Sequence, residues 1–484
     1  MLIIGGGLAG LSTGTYALAN GWEVTIVEHN LALGGVCTAW KRGPYTVDGC
    51  IHWLTGGAFF KIYEELRICP PVAVRTLEHF STIRDGHGGW SVEVGRDLAA
   101  MGGELRALSP ADGEAIDDML AAAEKIADLA PPIDRPQELM TMRDQLRWLW
   151  ELRGELGILA KYRDTVGAWT ERLAGDAVRR ALRSLVPGEA PMFFLLMMLG
   201  YLGRGWLSRP VGGTAAFLEA LCARYQELGG AVVLNTTVDE VLVEGDRAVG
   251  VRTSDGSMLR ADVVVSTSSA PETVLRLLGG RYGADALHER MKQWKLFEPI
   301  VLASWGVSRP LTEVPSTIAV SGMSPVSIAG RRVSDLVLRI FNDEPSVAPK
   351  GHTVVQALMV TDYGWWATRG RGYGDAKAAV AAELLGLVER QIPGIGAAVE
   401  MSDVATPLTY WRSARSWRGA FEGWMPAGDT HQTHVPKTLP GLERFYMAGQ
   451  WVEPGGGVPA ALMSGRQLVQ ILCAQAGRRF VVSP

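Results

Sequence analysis

The sequence is poor in cysteine and has no surplus of positive charge. Its five cysteines, among 484 residues, show no C-x-x-C spacing. This argues against a disulfide framework or a zinc site and fits a reducing cytoplasm. Lys and Arg number 47 against 51 Asp and Glu, a net charge of −4, and no Lys/Arg run would attract an anionic partner. Nucleic-acid binding is therefore excluded as the main function.

Long apolar runs are also lacking. The longest, 192–202, has 11 residues and contains Gly200, whereas a bilayer-spanning helix needs about 20. We predict that this segment is buried and forms one wall of an apolar cavity, and its contact with one membrane leaflet stays open. Because a glycine motif already begins at residue 5, no signal peptide is expected. The predicted location is cytoplasmic, with peripheral membrane association left open.

Glycine, in contrast, is abundant, with 58 residues, and forms a nucleotide-binding pattern near the N-terminus. A short apolar strand over 2–4 leads into Gly5-x-Gly7-x-x-Gly10, followed by a helix over 8–20 and a strand over 22–27. Gly5 permits the turn, Gly7 lets backbone N–H groups approach a pyrophosphate, and Gly10 lets the helix pack on the sheet. Leu8 and Ala9, which open the helix, belong to the same predicted binding loop.

The residues after this unit distinguish the cofactor. Glu28 ends the second strand, where a carboxylate can accept hydrogen bonds from an adenosine ribose and would repel a 2′-phosphate. This indicates FAD or NAD rather than NADP. Gly34 and Gly35 follow shortly afterwards, and such a pair is typical of flavoproteins, in which it lets the chain pass close to the cofactor. The pattern therefore predicts FAD.

A second glycine-rich turn lies near the C-terminus. A strand over 445–449 is followed by a loop and by Gly455-Gly456-Gly457, which open a helix that extends to residue 472. Such a helix N-terminus presents free N–H groups and positive dipole density. Glu453 lies just before it, where it is either a general base or a carboxylate that interacts with the helix dipole.

The fold class that these patterns predict is α/β. A discontinuous Rossmann-like FAD-binding domain is expected over 1–75, 208–275 and 425–484, with strands over 231–235, 238–244, 248–253 and 261–266. Residues 76–207 are predicted to be a helical insertion that carries the substrate cavity, with Trp148, Trp150, Trp169 and Trp206 more often core than tunnel lining. An α+β substrate domain is expected over 276–424.

Taken together, these motifs resemble the flavoprotein superfamily of amine oxidases and phytoene desaturases. The stretches 43–49, 210–214, 406–410 and 417–424 are similar to the phytoene desaturase, carotenoid isomerase and retinol saturase branch. Two positions differ from it: Val36 follows the glycine pair where Arg or Ser is usual, and Glu453 replaces a common His. The resemblance implies that the Val238 backbone holds the adenine and that Gly449, Gly456, Gly457 and Val458 face the isoalloxazine ring.

The resemblance also implies an activity. The expected function is FAD-dependent hydride transfer, through flavin N5, on C–C bonds of an apolar, polyene-like substrate, with desaturation preferred and saturation or isomerisation left open. An amine-oxidase-type reaction is the alternative, and a non-enzymatic relative of the prenyl-binding GDP dissociation inhibitors is a third.

No second G-x-G-x-x-G follows a strand, so oxygen or a quinone is expected as the electron acceptor rather than a nicotinamide. His52, His431 and His434 are too scattered to indicate a metal site.

Overall fold

The computed structural model describes residues 1–129, 133–427 and 435–482. The strands that it contains are β1 (Leu2–Ile4), β2 (Thr25–Val27), β3 (Ala39–Arg42), β4 (Tyr45–Asp48), β5 (Leu54–Thr55), β6 (Val74–Thr76), β7 (His79–Asp85), β8 (Ser91–Gly95), β9 (Leu207–Pro210), β10 (Ala231–Val233), β11 (Val238–Glu244), β12 (Arg247–Thr253), β13 (Met258–Arg260), β14 (Val264–Ser266), β15 (Ile300–Val307), β16 (Thr317–Ser321), β17 (Val326–Ile328), β18 (Arg331–Val333), β19 (Leu336–Ile340), β20 (Thr353–Val360), β21 (Val399–Ala405) and β22 (Phe445–Met447).

The helices that it contains are α1 (Leu8–Ala19), α2 (Phe60–Glu65), α3 (Leu98–Leu108), α4 (Gly113–Ile126), α5 (Met142–Glu151), α6 (Leu156–Lys161), α7 (Val166–Thr170), α8 (Asp176–Arg183), α9 (Met192–Gly203), α10 (Gly213–Glu227), α11 (Ala284–Gln293), α12 (Tyr363–Ala367), α13 (Tyr373–Gln391), α14 (Pro407–Ala414) and α15 (Gly457–Gln475). A π-helical segment spans Glu272–Leu277.

Five parallel strands form the first sheet, in the order β10-β2-β1-β14-β22. These strands are short and apolar, as expected for a parallel sheet buried on both faces. On β1, Ile3 packs with residues of α1, α10 and α15, whereas Leu2 and Ile4 pack with the antiparallel sheet β11-β12-β13. The prediction of an α/β fold, with a dinucleotide-type sheet drawn from separated segments of the chain, is confirmed.

Seven strands form a second, mixed sheet in the order β21-β15-β20-β19-β16-β7-β8. One face packs against α13, through residues such as Trp305, Leu338 and Leu384. Side chains that alternate with these, among them Leu302, Val337 and Leu358, turn to the opposite face and line a cavity. Because side chains alternate along each strand, the sheet has one face in the core and the other on the cavity.

The structure differs from the predicted division of the chain at residue 76. β7 and β8 belong to the seven-stranded sheet, where β7 pairs in parallel with β16. Within the predicted insertion, the first helix is α3. The polar alternation in β7 hid this strand, because its partner lies more than 230 residues away in the chain.

The apolar segment over 192–202 forms most of α9, and its burial is confirmed. Leu195, Leu199 and Leu202 are inaccessible to solvent and pack with α4. A Cβ at Gly200 would collide with the backbone of α4, so the glycine allows the two helices to approach closely. The lining of the cavity, among the described residues, comes from other segments, so α9 is not its wall.

The tryptophans of the insertion divide into two groups. Trp169 is buried in the core and Trp206 packs against it, as predicted. Trp150 was expected in the core but is 64% exposed. Over the described residues, the helices are too short or too polar to cross a bilayer.

Candidate functional site

One cavity, of about 520 Å³, extends from the carboxyl ends of the parallel strands to the seven-stranded sheet. This placement is usual, because ligands of open α/β sheets bind outside the carboxyl ends of the strands. The predicted site residues that line it are Gly5, Gly7, Leu8, Ala9, Glu28, Gly34, Gly35, Val238, Gly449, Gly457 and Val458. The cavity therefore brings together segments that lie more than 400 residues apart in sequence.

The first glycine loop has the geometry of a phosphate-binding turn. Gly5 has φ +98°, a conformation that favours glycine. Gly7 is the N-cap of α1 and places no side chain on the first N–H groups, and the first turn of α1 contains no acidic residue. These donors and the helix dipole are thus free to hold an anion. Gly10 lies behind the loop, where any Cβ would collide with the carbonyl oxygen of Gly5.

Glu28 is fixed at the end of β2. Its side chain is buried, with 4% exposed. Oε2 accepts a hydrogen bond from the Gly6 backbone at 2.7 Å, and Oε1 accepts one from the backbone and one from the side-chain amide of Asn30, each at 2.8 Å. A carboxylate has about four acceptor positions, so Glu28 keeps capacity for a ribose hydroxyl. Its place on the cavity wall suits that role.

Gly34 and Gly35 close over the first loop. Gly34 donates its N–H to the Gly6 carbonyl at 2.9 Å, and a Cβ at Gly35 would lie 3.2 Å from the Gly7 Cα. Both have positive φ, +131° and +61°. Val238 begins β11 and lines the far end of the cavity beside Thr236 and Thr237. Its carbonyl accepts a hydrogen bond from Arg276 at 2.8 Å.

The C-terminal glycines form the opposite wall. Gly455, Gly456 and Gly457 have φ of +107°, +64° and +81°, and three consecutive positive values restrict this turn to glycine. Gly456 is the N-cap of α15, with no capping side chain and no acid in the first turn. It lies behind the cavity wall, where a Cβ would come within 2.6 Å of the Glu422 Cβ. The N-terminus of α15, at Gly457 and Val458, faces the cavity.

Glu453 is placed differently from the prediction that it is catalytic. It is outside the lining of the cavity in the described part of the chain. Its Oε1 instead accepts a hydrogen bond from the Lys437 Nζ at 2.6 Å. Lys437 is 1% exposed and also donates to Gln467 at 3.0 Å. In the structure, Glu453 therefore balances the positive charge of the buried Lys437 ammonium group.

Sequence reasoning missed Glu422, a second carboxyl group that lines the cavity in addition to Glu28. It has no hydrogen-bond or ion-pair partner among the described residues, and burial raises its pKa to about 7. Phe421, the residue before it, packs against the rings of Tyr410 and Phe297. The ring centroids of each pair are 6.2 Å apart. The stretch 417–424 had been singled out only for its resemblance. A carboxyl group among aromatic residues was the available signal.

These features fit a dinucleotide with a flavin at one end. The uncapped N-terminus of α1 suits a pyrophosphate, Glu28 a ribose, and the uncapped N-terminus of α15 a ring system that gathers negative charge. Within the described ranges, His, Cys, Asp and Glu side chains form no group of three that could hold a metal ion. His431 and His434 lie outside the described residues.

Comparison with known proteins agrees with this geometry. The family model described as flavin containing amine oxidoreductase matches residues 8–473. A neurosporene-forming phytoene desaturase from Cereibacter sphaeroides is 25% identical over 97% of this chain and 94% of its own length. A chloroplastic prolycopene isomerase from Daucus carota is 22% identical over 98% of this chain and 80% of its own.

Solved structures show the same fold. An oxidoreductase from Methanosarcina mazei superposes with a TM-score of 0.63 at 16% identity, over 97% of this chain and 99% of its own. Putrescine oxidase bound to putrescine gives 0.63 at 14% identity, over 98% of both chains. A RAB GDI from Plasmodium falciparum gives 0.53 at 12% identity, over 99% of this chain and 98% of its own. The fold is thus shared by proteins with different functions.

Proposed function

Since this chain belongs to the flavin-containing amine oxidoreductase family and is an FAD-dependent oxidoreductase, we propose that it acts on C–C bonds of an apolar isoprenoid. The reaction would be desaturation, saturation or isomerisation, with desaturation preferred. Relatives named as phytoene desaturases and prolycopene isomerases cover almost the whole chain and support this choice of substrate class.

The observation that carries the proposal is the apolar row on the cavity face of the seven-stranded sheet. Register places Ala319 opposite Val337, Val337 opposite Leu358, and Leu358 opposite Leu302. All four line the cavity. Burying an apolar chain against such a surface contributes about 25 cal/mol per Å². A hydrocarbon segment therefore has a continuous surface to lie on.

Bound FAD supplies hydride exchange at its N5 atom. The chain contributes an apolar floor that excludes water and an α15 N-terminus whose free N–H groups stabilise negative charge at the ring. Glu422 is the group best placed to hold or move a proton, because it lines the cavity, lacks a partner among the described residues and has a pKa raised by burial to about 7.

The choice of electron acceptor is supported by the number of dinucleotide-type loops. Among the described residues, one such loop precedes a helix on the parallel sheet, and it lines the cavity assigned to FAD. We therefore propose oxygen or a quinone as the acceptor.

The absorption spectrum of the purified protein, followed by lipid extraction, tests the substrate class. We expect oxidised-flavin bands and, after expression in a carotenoid-producing host, a co-extracted isoprenoid. Flavin bands that bleach with a small primary amine, with no isoprenoid bound from any host, would favour the amine-oxidase reaction. A protein that binds prenyl groups without any flavin would match the GDP dissociation inhibitors.

Membrane contact is proposed at α5 rather than at α9. Met142, Leu146 and Trp150 are spaced one turn apart and are 76%, 62% and 64% exposed, so they form an outward apolar stripe. Arg143 and Arg147 lie on the same exposed helix. Apolar anchors beside arginines suit the surface of an anionic membrane. An enzyme with an apolar substrate would reach that substrate at the membrane surface through this contact.

Vesicle sedimentation tests this contact. Leu146→Ser with Trp150→Ser should weaken binding to phosphatidylserine-containing vesicles at least about tenfold, since each buried side chain contributes about 1.5–3 kcal/mol. Met258→Ser, at an equally exposed methionine of β13 that is 62% exposed, is the matched control and should have no effect. Equal binding by both variants would refute the contact.

A further inference from the structure

The cavity has a polar end that an apolar substrate does not explain. Two residues along each strand from the apolar row, a second row has Thr317 opposite Arg339, Arg339 opposite Gln356, and Gln356 opposite Ser304. Alternate residues of a strand share a face, so this second row lies on the same face of the sheet as the apolar row. Thr317 and Arg339 line the cavity. A guanidinium group on a buried sheet face is costly unless it is paired or used.

A second arginine reaches the same place from another element. Arg209 in β9 donates from Nη2 to the Thr317 hydroxyl at 3.2 Å, and its Nη1 lies 2.5 Å from the Asp343 carboxylate. Arg339 Nη2 lies 2.7 Å from the other oxygen of Asp343. The side chains of Arg209 and Arg339 are 7% and 3% exposed. Both guanidinium groups line the cavity.

Three arginines share one carboxylate at this end. Arg75, Arg209 and Arg339 all pair with Asp343. The buried carboxyl groups of Asp48 and Glu344 accept hydrogen bonds from other groups instead. Arg209 and Arg339, which line the cavity, thus have one carboxylate between them as their ion-pair partner.

Neighbouring pKa shifts agree with this crowding of arginines. Burial, followed by the charges of Arg339 and Arg209, lowers the pKa of His52 to about 3. Burial, followed by the charge of Arg339, lowers the pKa of Arg209 to about 10. His52 is therefore neutral near pH 7 and adds no further charge. Burial is the larger cause of both shifts, and the neighbouring guanidinium groups act in the same direction.

The polar row also has an unused donor on the cavity. Arg339 lines the cavity, and its Nε is buried and lacks a hydrogen-bond partner among the described residues. Buried polar atoms are usually paired, so this donor is available to a bound group. A planar guanidinium fork matches an oxyanion with two oxygens.

From this arrangement we propose that the Arg209–Arg339 end of the cavity binds an anionic head group carried by the substrate. The substrate class is then an amphipathic isoprenoid with a carboxylate or phosphate at one end, its apolar chain lying along the row of Ala319, Val337 and Leu358. The inference rests on the proposed function, since it adds the head group to the apolar substrate proposed there. Charge-assisted hydrogen bonds fix the register of the chain relative to the cofactor-binding loops.

Binding of matched isoprenoids to the FAD-loaded protein tests the proposal. Farnesoic acid, its methyl ester and farnesyl phosphate would be titrated by calorimetry near pH 7.5. The acid should bind roughly ten- to a hundredfold more tightly than the ester, as expected for a charged hydrogen-bond partner. Tighter binding of farnesyl phosphate than of farnesoic acid identifies the head group as a phosphate, and the reverse order identifies a carboxylate.

Variants assign the effect to the arginines. Arg339→Gln should reduce the acid-to-ester preference to under about threefold, and Arg339→Lys, which keeps the charge without the fork, should retain part of it. The Lys variant also provides the test if the Gln variant does not fold. Arg331→Gln, at a 41% exposed arginine paired with Glu298 outside the cavity lining, is the control and should leave the preference unchanged.

The two proposals fail in different ways. Equal binding of acid and ester to the unmodified protein, or an acid preference that survives both Arg339→Gln and Arg209→Gln, would overturn the anionic head group and leave the apolar substrate standing. Failure of all three compounds to bind FAD-loaded protein would overturn the apolar substrate, and this inference with it.

Discussion

The Nζ of Lys437 lies 2.6 Å from the Oε1 of Glu453, and this ion pair connects the segment before β22 with the loop before α15. Lys437 is almost completely buried, and the Glu453 side chain is 21% exposed. A second carboxylate, of Glu138, lies 3.7 Å from the same Nζ. Removing one partner of a buried pair leaves the other uncompensated, which is more costly than losing the attraction alone.

We therefore expect Glu453→Gln to lower stability and to leave turnover nearly intact. The loss should be about 1–3 kcal/mol, below the 3–5 kcal/mol usual for a fully buried pair, because Glu138 partly replaces the charge. Thermal unfolding and a rate assay on the FAD-loaded protein measure the two effects separately.

The double variant Lys437→Met with Glu453→Gln is the control for that interpretation. It removes both charges and should recover part of the lost stability. A general base would behave differently, with turnover reduced about 10²–10⁴-fold at an unchanged melting temperature. That outcome would restore the catalytic role first predicted for Glu453.

Glu28→Ala should produce protein that is largely free of FAD. A charge-assisted hydrogen bond to a ribose hydroxyl contributes roughly 1.5–3 kcal/mol. The loop also loses the anchors of the Gly6 and Asn30 backbone N–H groups. The FAD-to-protein ratio after gel filtration measures the effect. Glu443→Ala, at a 69% exposed glutamate, should keep full occupancy, and full occupancy in Glu28→Ala would disprove the assignment.

Glu422 should make stability depend on pH in a specific direction. Its pKa rises from 4.5 to about 7 on folding because of burial, so the folded state prefers the protonated form. The stability it contributes is fully present below about pH 4.5 and is lost as the pH rises through about 7. At about 1.4 kcal/mol per pKa unit, the loss is at most about 3.5 kcal/mol.

Melting temperatures measured between about pH 5 and pH 8 check this sign. The unmodified protein should lose more stability over that interval than Glu422→Gln, which cannot ionise. Glu383→Gln, at an exposed position of α13, should follow the unmodified protein. Parallel curves for all three proteins would contradict the burial argument.

NADPH alone should not bleach the flavin under anaerobic conditions. The described residues provide one dinucleotide-type loop, and its cavity is the one assigned to FAD. Addition of a separate ferredoxin or flavodoxin reductase system is the positive control for a reducible flavin. Rapid bleaching by NADPH without that system would show that a nicotinamide reaches the flavin through the substrate end of the cavity.

Local motifs made most of the cofactor site predictable. Gly5, Gly7 and Glu28 lie within one strand–helix–strand unit, and the physical demands on each are set by neighbours close in sequence. The second glycine turn, Gly455–Gly457, was predictable for the same reason, because only glycine accepts three positive φ values in succession. Strand β11 was likewise predicted with its observed bounds.

Long-range pairing was not predictable. Arg339 lies in an otherwise apolar strand, and only the register against β16 and β20 shows that it shares a polar row with Thr317 and Gln356. The role of Glu453 depended on Lys437, a partner 16 residues away that no local pattern marks. Trp150 was read as core because helical spacing alone does not tell which face of a helix meets the protein.

The central claim is that the flavin exchanges hydride with C–C bonds of an apolar isoprenoid. Anaerobic mixing of the oxidised, FAD-loaded protein with vesicles that contain phytoene or farnesoic acid, with a quinone as acceptor and mass spectrometry of the extracted lipid, tests it most directly. We predict an isoprenoid product with two fewer hydrogens per turnover and no reaction with putrescine. An unchanged isoprenoid, both in this mixture and with the flavin reduced beforehand, together with bleaching by putrescine, would contradict the account.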